Sequence, residues 1–385
     1  MDSHSNGLIV DADRAVARGD LSEARRLLEA SAEGGAPDVD LLLKLGAICR
    51  ASGDLDGALA ATDRALQVDP LHFVALMLRA SLLERLKRKG VAEAYGRALA
   101  QRPEGALPAQ LEAMVNVARA HYLAFQAGMD RDLTNLVAGL QEDFSAEEAA
   151  RLSRFRTNAL RITRPYHSDP TDYHYPGLIE QEFHDRKDMA WLEGLEAATD
   201  MIAEDFARVM AAERAELVPY VQYAPNQPLR QWTSLNNSKD WSAIHLLRNG
   251  NRVEANARHC PATMEVLASL PQPAVRGVSP NAMFSLLAPH THIPPHNGIA
   301  NTRLVCHLPL LVPADCWFRV GAERREWRRG EAWVFDDTIE HEAANDSDAL
   351  RVVFICDVWH PGLSDREKRA VAAVVAARDW SGDGL

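Results

Sequence analysis

Residues 303–320 read RLVCHLPLLVPADCWFRV, two apolar runs rich in β-branched residues on either side of a Pro-Ala-Asp break. Short apolar runs of this kind, bounded by proline and aspartate, are typical of β-strands joined by tight turns. Further runs of the same type occupy residues 284–288, 332–336 and 350–359. Their number and spacing predict an antiparallel barrel or sandwich in the C-terminal half of the chain.

The first hundred residues follow a different pattern, with Ala, Leu, Arg and Glu at helical spacing and an internal repeat. The triplet Gly19-Asp20-Leu21 recurs 34 residues later as Gly53-Asp54-Leu55. Arg64-Ala65-Leu66 recurs 33 residues later as Arg97-Ala98-Leu99. This period is typical of tetratricopeptide repeats, each a pair of helices joined by a turn. An ordinary helical bundle whose Gly-Asp turns coincide is the alternative.

The residue pattern changes at Arg164-Pro165, where prolines, tryptophans and short apolar runs replace the helical spacing. We therefore predict tetratricopeptide-like repeats over residues 1–105, a helical cap or linker over residues 106–164, and a separate β-rich domain over residues 165–385. The fold class that follows is α+β.

Composition excludes several classes of protein. The net charge of −12 is unsuited to nucleic acid or an anionic membrane surface, because both attract positive charge. The five cysteines are scattered without a Cys-x-x-Cys pair, and the sequence carries neither a secretory signal pattern nor an apolar run of membrane-spanning length. We expect a soluble cytoplasmic protein without a membrane span.

Three histidines, His290, His292 and His296, crowd the proline-rich stretch PHTHIPPHNG at residues 289–298. The common iron site of barrel-type oxygenases uses two histidines and one carboxylate, the first two ligands in the pattern His-x-Asp or His-x-Glu. None of the three is followed two residues later by Asp or Glu. The ordinary triad is therefore absent from the sequence.

Four motifs nevertheless occur in order: PPHNGIANTRLVCHLPL, CWFRVG, FDDTIEHEA and LRVVFICDVWHP. Together they strongly resemble the aspartyl/asparaginyl β-hydroxylase family of iron(II)- and 2-oxoglutarate-dependent oxygenases, over roughly residues 170 to 365. The resemblance implies a double-stranded β-helix, or jelly roll, for the C-terminal domain. It also implies that His296 and His341 are the metal ligands and catalytic residues, with Gly298 in place of the usual carboxylate and water in the vacancy.

The cosubstrate residues implied by the resemblance are Arg351 and Ser285 at the distal carboxylate of 2-oxoglutarate, together with His307. The isolated charge of Arg351 within an apolar strand independently demands a partner. Arg303 matches a family arginine near the cosubstrate and the substrate carboxylate. Val305 departs from the family, in which relatives that act on protein aspartate often carry a second arginine at that position. The substrate class therefore stays open.

Other polar residues of these motifs receive more modest roles. We expect His290 and His292 to be loop or pocket-edge residues, and His360 to support a strand end. Asp336 and Asp337 precede His341 closely, and are either carboxylates that orient the ligand histidine or an ordinary turn pair.

The resemblance implies hydroxylation of the β-carbon of an Asp, Asn or related residue in a peptide or protein, with iron(II) and 2-oxoglutarate as cofactors. The repeats would then recruit a protein partner. Trp241 and Arg248 are candidates for substrate contact. The alternatives are a hydroxylase of a free or carrier-bound amino acid or of a lipid acyl chain, and a non-catalytic repeat scaffold with a vestigial barrel.

Overall fold

The computed structural model describes residues 3–34, 38–140, 144–212, 216–227 and 229–377. The chain divides into two compact units, unit 1 at Met1–Thr163 and unit 2 at Arg164–Leu385. Unit 1 is helical and unit 2 is built on antiparallel sheets, which confirms the predicted α+β class. The outer ends of the first and last predicted domains lie outside the described residues. Within the described ranges, no helix combines the length and the apolar character that crossing a membrane requires.

The described part of unit 1 is a succession of helices in which each packs against the next. The pairs α1–α2, α3–α4 and α5–α6 form hairpins, and α2–α3 and α4–α5 contacts join one hairpin to the next. This stacking of helical pairs confirms the predicted repeat region. The helices are α1 (Ser3–Ala17), α2 (Leu21–Glu33), α3 (Val39–Ala51), α4 (Leu55–Val68), α5 (Phe73–Arg85), α6 (Val91–Leu99), α7 (Ala109–Ala138) and α8 (Ala146–Ala159).

The repeated Gly-Asp dipeptide closes one helix and opens the next. Gly19 and Gly53 take φ angles of +80° and +86°, a left-handed conformation that favours glycine because a Cβ atom would be strained there. The following Asp20 and Asp54 are N-caps whose carboxylates accept hydrogen bonds from backbone N–H groups of α2 and α4. Before α6, Gly90 has the same left-handed conformation, but it is itself the N-cap and no side chain caps the helix there.

Residues 106–164 contain α7 and α8. Helix α7 packs against α5 and α6, and buries Val115 and Ala118. Helix α8 begins at a capping box in which Ser145 and Glu148 exchange hydrogen bonds with each other's backbone N–H groups. Both helices lie in the segment for which a helical cap or linker is predicted.

Unit 2 alternates its later strands between two sheets. The large sheet has the order β1-β2-β4-β11-β6-β9 with β3 beside β2, and the small sheet has the order β5-β10-β7-β8. The eight strands from β4 to β11 thus form the pairing of a jelly roll, in which the first strand lies beside the last. The strands are β1 (Val218–Pro219), β2 (Trp241–Arg248), β3 (Asn251–Arg252), β4 (Ala282–Leu287), β5 (Thr291–His296), β6 (Arg303–Leu311), β7 (Cys316–Val320), β8 (Glu323–Glu326), β9 (Trp333–Phe335), β10 (His341–Asn345) and β11 (Arg351–Trp359).

The two faces of the large sheet have separate cores because side chains alternate along each strand. The outer face, with Ile244, Phe284 and Leu304, packs against α9, α10 and α12. The inward face, with Val305 and Val353, packs against the small sheet. Arg303, His307 and Arg351 share the inward face by the same alternation. The helices of unit 2 are α9 (Leu192–Ala197), α10 (Thr199–Met210), α11 (Glu254–Ala257), α12 (Pro261–Ser269) and α13 (Asp365–Ala377).

Replacement of Gly53 by alanine should destabilise unit 1 by about 1–2 kcal/mol, the cost of a left-handed backbone with a Cβ atom. The open space around Gly53 means that a Cβ atom meets no neighbour, so strain alone accounts for the loss. Chemical denaturation followed by helical circular dichroism measures it. The control is Gly139→Ala, since Gly139 is equally open and has a φ of −72°. Equal stability of the two variants would contradict this account of the repeat turn.

Candidate metal centre and anion pocket

His296 and His341 meet at the edge where β5 and β10 pair. His296 is the last residue of β5, His341 is the first residue of β10, and the two are direct partners in the antiparallel register. Their ring centroids lie 4.0 Å apart. The two histidines are 45 positions apart in the sequence, so only the strand pairing brings them together.

Both histidines are held in the form that binds metal ions. His296 Nδ1 lies 2.8 Å from the carbonyl oxygen of Pro294, and His341 Nδ1 lies 3.1 Å from that of Ile339. A carbonyl oxygen can only accept, so each Nδ1 donates its proton and each Nε2 keeps a free lone pair. Burial lowers the pKa of His296 to about 3 and that of His341 to about 4, so both rings are neutral at physiological pH.

Gly298 lies beside this pair at the position that the resemblance assigns to the missing carboxylate. A Cβ atom on Gly298 would overlap the carboxyl group of Asp337, which already fills that space. One oxygen of this carboxylate, Asp337 Oδ1, is buried and accepts no hydrogen bond. A larger residue here would have to displace Asp337, whose carboxylate, from the turn between β9 and β10, faces the space that the missing side chain leaves.

Arg303 holds Asp337 in place from the neighbouring strand. Its Nη2 donates to Asp337 Oδ2 at 3.0 Å, and its Nη1 lies 3.4 Å from Asp357 Oδ1, an ion pair without hydrogen-bond geometry. Asp357 also accepts from the backbone and side chain of Asn281 at 2.9 Å each. The guanidinium expected near a substrate carboxylate is thus engaged by two carboxylates of the chain itself.

Arg351 is in the opposite electrostatic situation. It is 2% exposed, and its closest polar neighbours are Ser285 Oγ at 3.4 Å and the Ser285 carbonyl oxygen at 3.5 Å, both long for hydrogen bonds. Its Nε has no partner, and its guanidinium lies 4.8 Å from the Trp327 ring centroid. Burial lowers the pKa of Arg351 to about 10, so the group remains charged at neutral pH. A buried cation in this state calls for an anion.

His307 and Trp241 complete the walls of this anion pocket. His307 is buried with an unpartnered Nδ1, and burial, followed by the charge of Arg351, lowers its pKa well below the usual range. Trp241 Nε1 donates to Ser285 Oγ at 3.1 Å, and the Trp241 ring lies 6.3 Å from that of His296. Trp241 therefore joins the pocket to the histidine pair instead of standing free for substrate.

The second residue predicted to contact substrate, Arg248, lies elsewhere. It is exposed at the far end of β2, seven residues beyond Trp241 and so about 20 Å along the strand. The prediction for Arg248 is wrong because a strand carries its two ends to opposite edges of the sheet.

The remaining polar residues of the motifs lie outside the histidine pair. His290 pairs with Asp348 and His292 with Glu342, both with exposed imidazoles. His360 is buried after β11, where Gly362 N donates to its Nδ1. Asp336 caps a turn by accepting from the N–H and hydroxyl of Thr338. Across the part of the chain that the structure describes, no three His, Cys, Asp or Glu side chains gather as a metal-ligand set.

Sequence reasoning missed Asp357, Trp327 and Trp232. Asp357 is a charge within the apolar run of β11, so the argument applied to Arg351 would have found it. Trp327, over which Arg351 lies, belongs to the run WRRGEAWVFDDTIEHEA but received no role from the sequence, and Trp232, whose ring is 5.0 Å from that of His296, comes from a short 3-10 helix outside the motifs. Their contribution follows from the folding of the chain alone.

Comparison with known proteins gives one family. The family model for aspartyl/asparaginyl β-hydroxylase matches residues 196–361. The human aspartyl/asparaginyl β-hydroxylase is 35% identical over 144 residues, which are 37% of this chain and 19% of the relative. Aspartate β-hydroxylase domain-containing protein 2 of Xenopus tropicalis is 31% identical over 182 residues, 46% of this chain and 48% of the relative. The chain spans less than half the length of either protein.

Among solved structures, the tetratricopeptide domain of Sgt2 from Aspergillus fumigatus is similar to 31% of this chain and 79% of that chain, with 21% identity and a TM-score of 0.28. For the C-terminal unit, the matched motifs, the jelly-roll strand order and the family model coincide. The C-terminal unit of this chain is therefore similar to aspartyl/asparaginyl β-hydroxylases over residues 196–361.

Proposed function

We propose that unit 2 is an iron(II)- and 2-oxoglutarate-dependent hydroxylase of the β-carbon of an Asp, Asn or related residue in a peptide or protein. The observation that carries the proposal is the buried guanidinium of Arg351, for which the described residues supply no carboxylate partner. It lies on the face of the large sheet that packs against the small sheet, where the two neutral histidines pair. The names of the relatives, which are β-hydroxylases, support the same reaction class.

The donor set fits a divalent iron ion. His296 and His341 would hold it through their Nε2 atoms, since both Nδ1 atoms are occupied by backbone carbonyls. When bound, iron(II) supplies with oxygen and 2-oxoglutarate the chemistry that inserts one oxygen atom into a C–H bond, with succinate and carbon dioxide as coproducts. Because Gly298 contributes no ligand, we expect weaker retention of metal during purification than at a site with three protein ligands.

Arg351 and Ser285 would bind the distal carboxylate of 2-oxoglutarate. A guanidinium and a hydroxyl are suitable donors to a carboxylate, and the long Arg351–Ser285 distances leave the guanidinium's hydrogen-bonding capacity for a ligand. The face of Trp327 fixes the plane of the guanidinium. His307, with its unpartnered Nδ1, offers a further polar contact between Arg351 and the histidine pair.

Asp337 and the aromatic residues would control water near the reacting centre. Asp337 Oδ1 can accept a hydrogen bond from a water molecule or substrate group beside Gly298, while Arg303 keeps the carboxylate in position. Trp232 and Trp241 lie against His296 from the other side, and Tyr220 stacks on Trp241 at 3.8 Å. These rings restrict bulk water, which protects an oxidising centre.

Unit 1 would recruit the protein that carries the target residue. Its support is the repeat architecture itself, because stacked helical pairs present extended surfaces suited to peptide segments. A vestigial scaffold is the weaker alternative, since His296, His341, Ser285, His307 and Arg351 are all present and arranged around one inward face.

The ligand assignment predicts that His296→Ala and His341→Ala each abolish succinate formation from 2-oxoglutarate and prevent anaerobic iron(II) binding. With two imidazoles as the whole protein ligand set, neither can be spared. His292→Ala is the control, because His292 lies in the same stretch but pairs with Glu342. Loss of activity in His292→Ala together with retained activity in His296→Ala would refute the assignment.

The anion pocket predicts opposite effects of Arg351→Met on stability and on cosubstrate binding. Removing an uncompensated buried charge should leave the melting temperature of the cosubstrate-free protein unchanged or raise it. The apparent requirement for 2-oxoglutarate should rise at least about a hundredfold, the equivalent of about 3 kcal/mol. Thermal shift with and without 2-oxoglutarate measures both.

Arg248→Met is the matched control for this substitution, because Arg248 lies exposed at the far end of β2. Its melting temperature and its response to 2-oxoglutarate should equal those of the unmodified protein. An unchanged 2-oxoglutarate response in Arg351→Met would remove Arg351 from the cosubstrate site.

A further inference from the structure

Two buried arginines lie on the inward face of the large sheet near the paired histidines, and they differ in what surrounds them. Among the described residues no carboxylate pairs with Arg351, and under the proposed function its charge is balanced by the cosubstrate. Arg303 is the cation nearer the metal ligands, since it contacts Asp337 beside Gly298.

The charge of Arg303 is cancelled within the protein. Asp337 and Asp357 both lie within ion-pair distance of its guanidinium, at 3.0 and 3.4 Å. Arg319, on β7 of the small sheet, is likewise engaged, by Glu340 and Glu342. Neither Arg303 nor Arg319 is therefore free to meet a carboxylate on the substrate.

Among the described residues near the histidines, a carboxylate oxygen of Asp337 lacks a hydrogen-bond partner, and this atom is an acceptor. Asp337 Oδ1 is buried without a partner, so it suits an N–H donor and repels a second carboxylate. Val305 lies on the same face, between Arg303 and His307, and contributes an apolar side chain that is buried among aromatic residues. This part of the pocket combines an acceptor with an apolar wall.

We propose that the side chain presented to the histidine pair is uncharged and bears an N–H donor, as a primary amide does, so that the site selects asparagine-type over aspartate-type groups. This inference rests on the proposed function for the location of the substrate. It follows from the internal cancellation of Arg303 and from the unpartnered acceptor Asp337 Oδ1, which together favour a neutral donor over a carboxylate at this position.

The test compares two peptide pools that are identical except for Asn or Asp at one central position with randomised flanks. Asn and Asp are nearly isosteric, so the comparison isolates charge. The full-length protein, loaded with iron(II) and 2-oxoglutarate, is incubated with both pools without oxygen, and the retained peptides are counted by mass spectrometry. The Asn pool should be retained about tenfold or more over the Asp pool, as one uncompensated like-charge contact predicts.

A pair of variants makes the comparison specific to this part of the pocket. Val305→Arg adds a guanidinium next to Arg303 and opposite Asp357, so the preference should shift toward the Asp pool. Val305→Met has similar length without charge and should keep the Asn preference. Stabilisation of each variant by 2-oxoglutarate shows that it is folded.

Equal or greater retention of the Asp pool by the unmodified protein would overturn the inference, as would retention of neither pool. The same holds if Val305→Arg leaves the Asn preference unchanged in a folded variant. Because peptide binding is measured without oxygen, it tests the charge preference separately from the proposed reaction. The proposed reaction itself is contradicted only if iron(II)-dependent consumption of 2-oxoglutarate is absent.

Discussion

A buried guanidinium without a counter-ion is the constraint on which the C-terminal unit depends. Arg351 lies at the start of β11, 2% exposed, against Trp327 and Ser285, and none of the carboxylates in the described part of the chain pairs with it. Leaving such a charge in a protein interior costs several kcal/mol. A bound anion would offset this cost, and under the proposed function that anion is the distal carboxylate of 2-oxoglutarate.

The jelly roll makes this arrangement possible because its two sheets place alternate residues of distant strands on one face. β4, β6 and β11 are adjacent in the large sheet, so Ser285, His307 and Arg351 line its inward side. The small sheet pairs β5 with β10 and brings the two histidines together across that face. A slip of one residue in any of these registers would turn the corresponding side chain into the outer core.

Arg303 and Arg351 show how the same residue type acquires opposite roles. Arg303 is surrounded by Asp337 and Asp357 and serves to orient a carboxylate of the protein. Arg351 contacts a hydroxyl, a carbonyl oxygen and an aromatic face, and is free to bind an external carboxylate. The pairing of Arg303 also depends on Gly298. A larger residue at that position would displace Asp337, which is the partner of Arg303.

The sequence by itself determined the helical repeats, because their Gly-Asp turns depend on local backbone conformation and capping. It also determined the strand-rich second half, because the length and spacing of apolar runs are local properties of the sequence. It also singled out His296, His341 and Arg351, because motif spacing and an isolated charge are visible in one dimension. Only the tertiary structure decided that Asp357 and Asp337 cancel Arg303, that Trp241 donates to Ser285, and that Arg248 lies far from the site. Each of these depends on which strands become neighbours, a long-range pairing that no local pattern encodes.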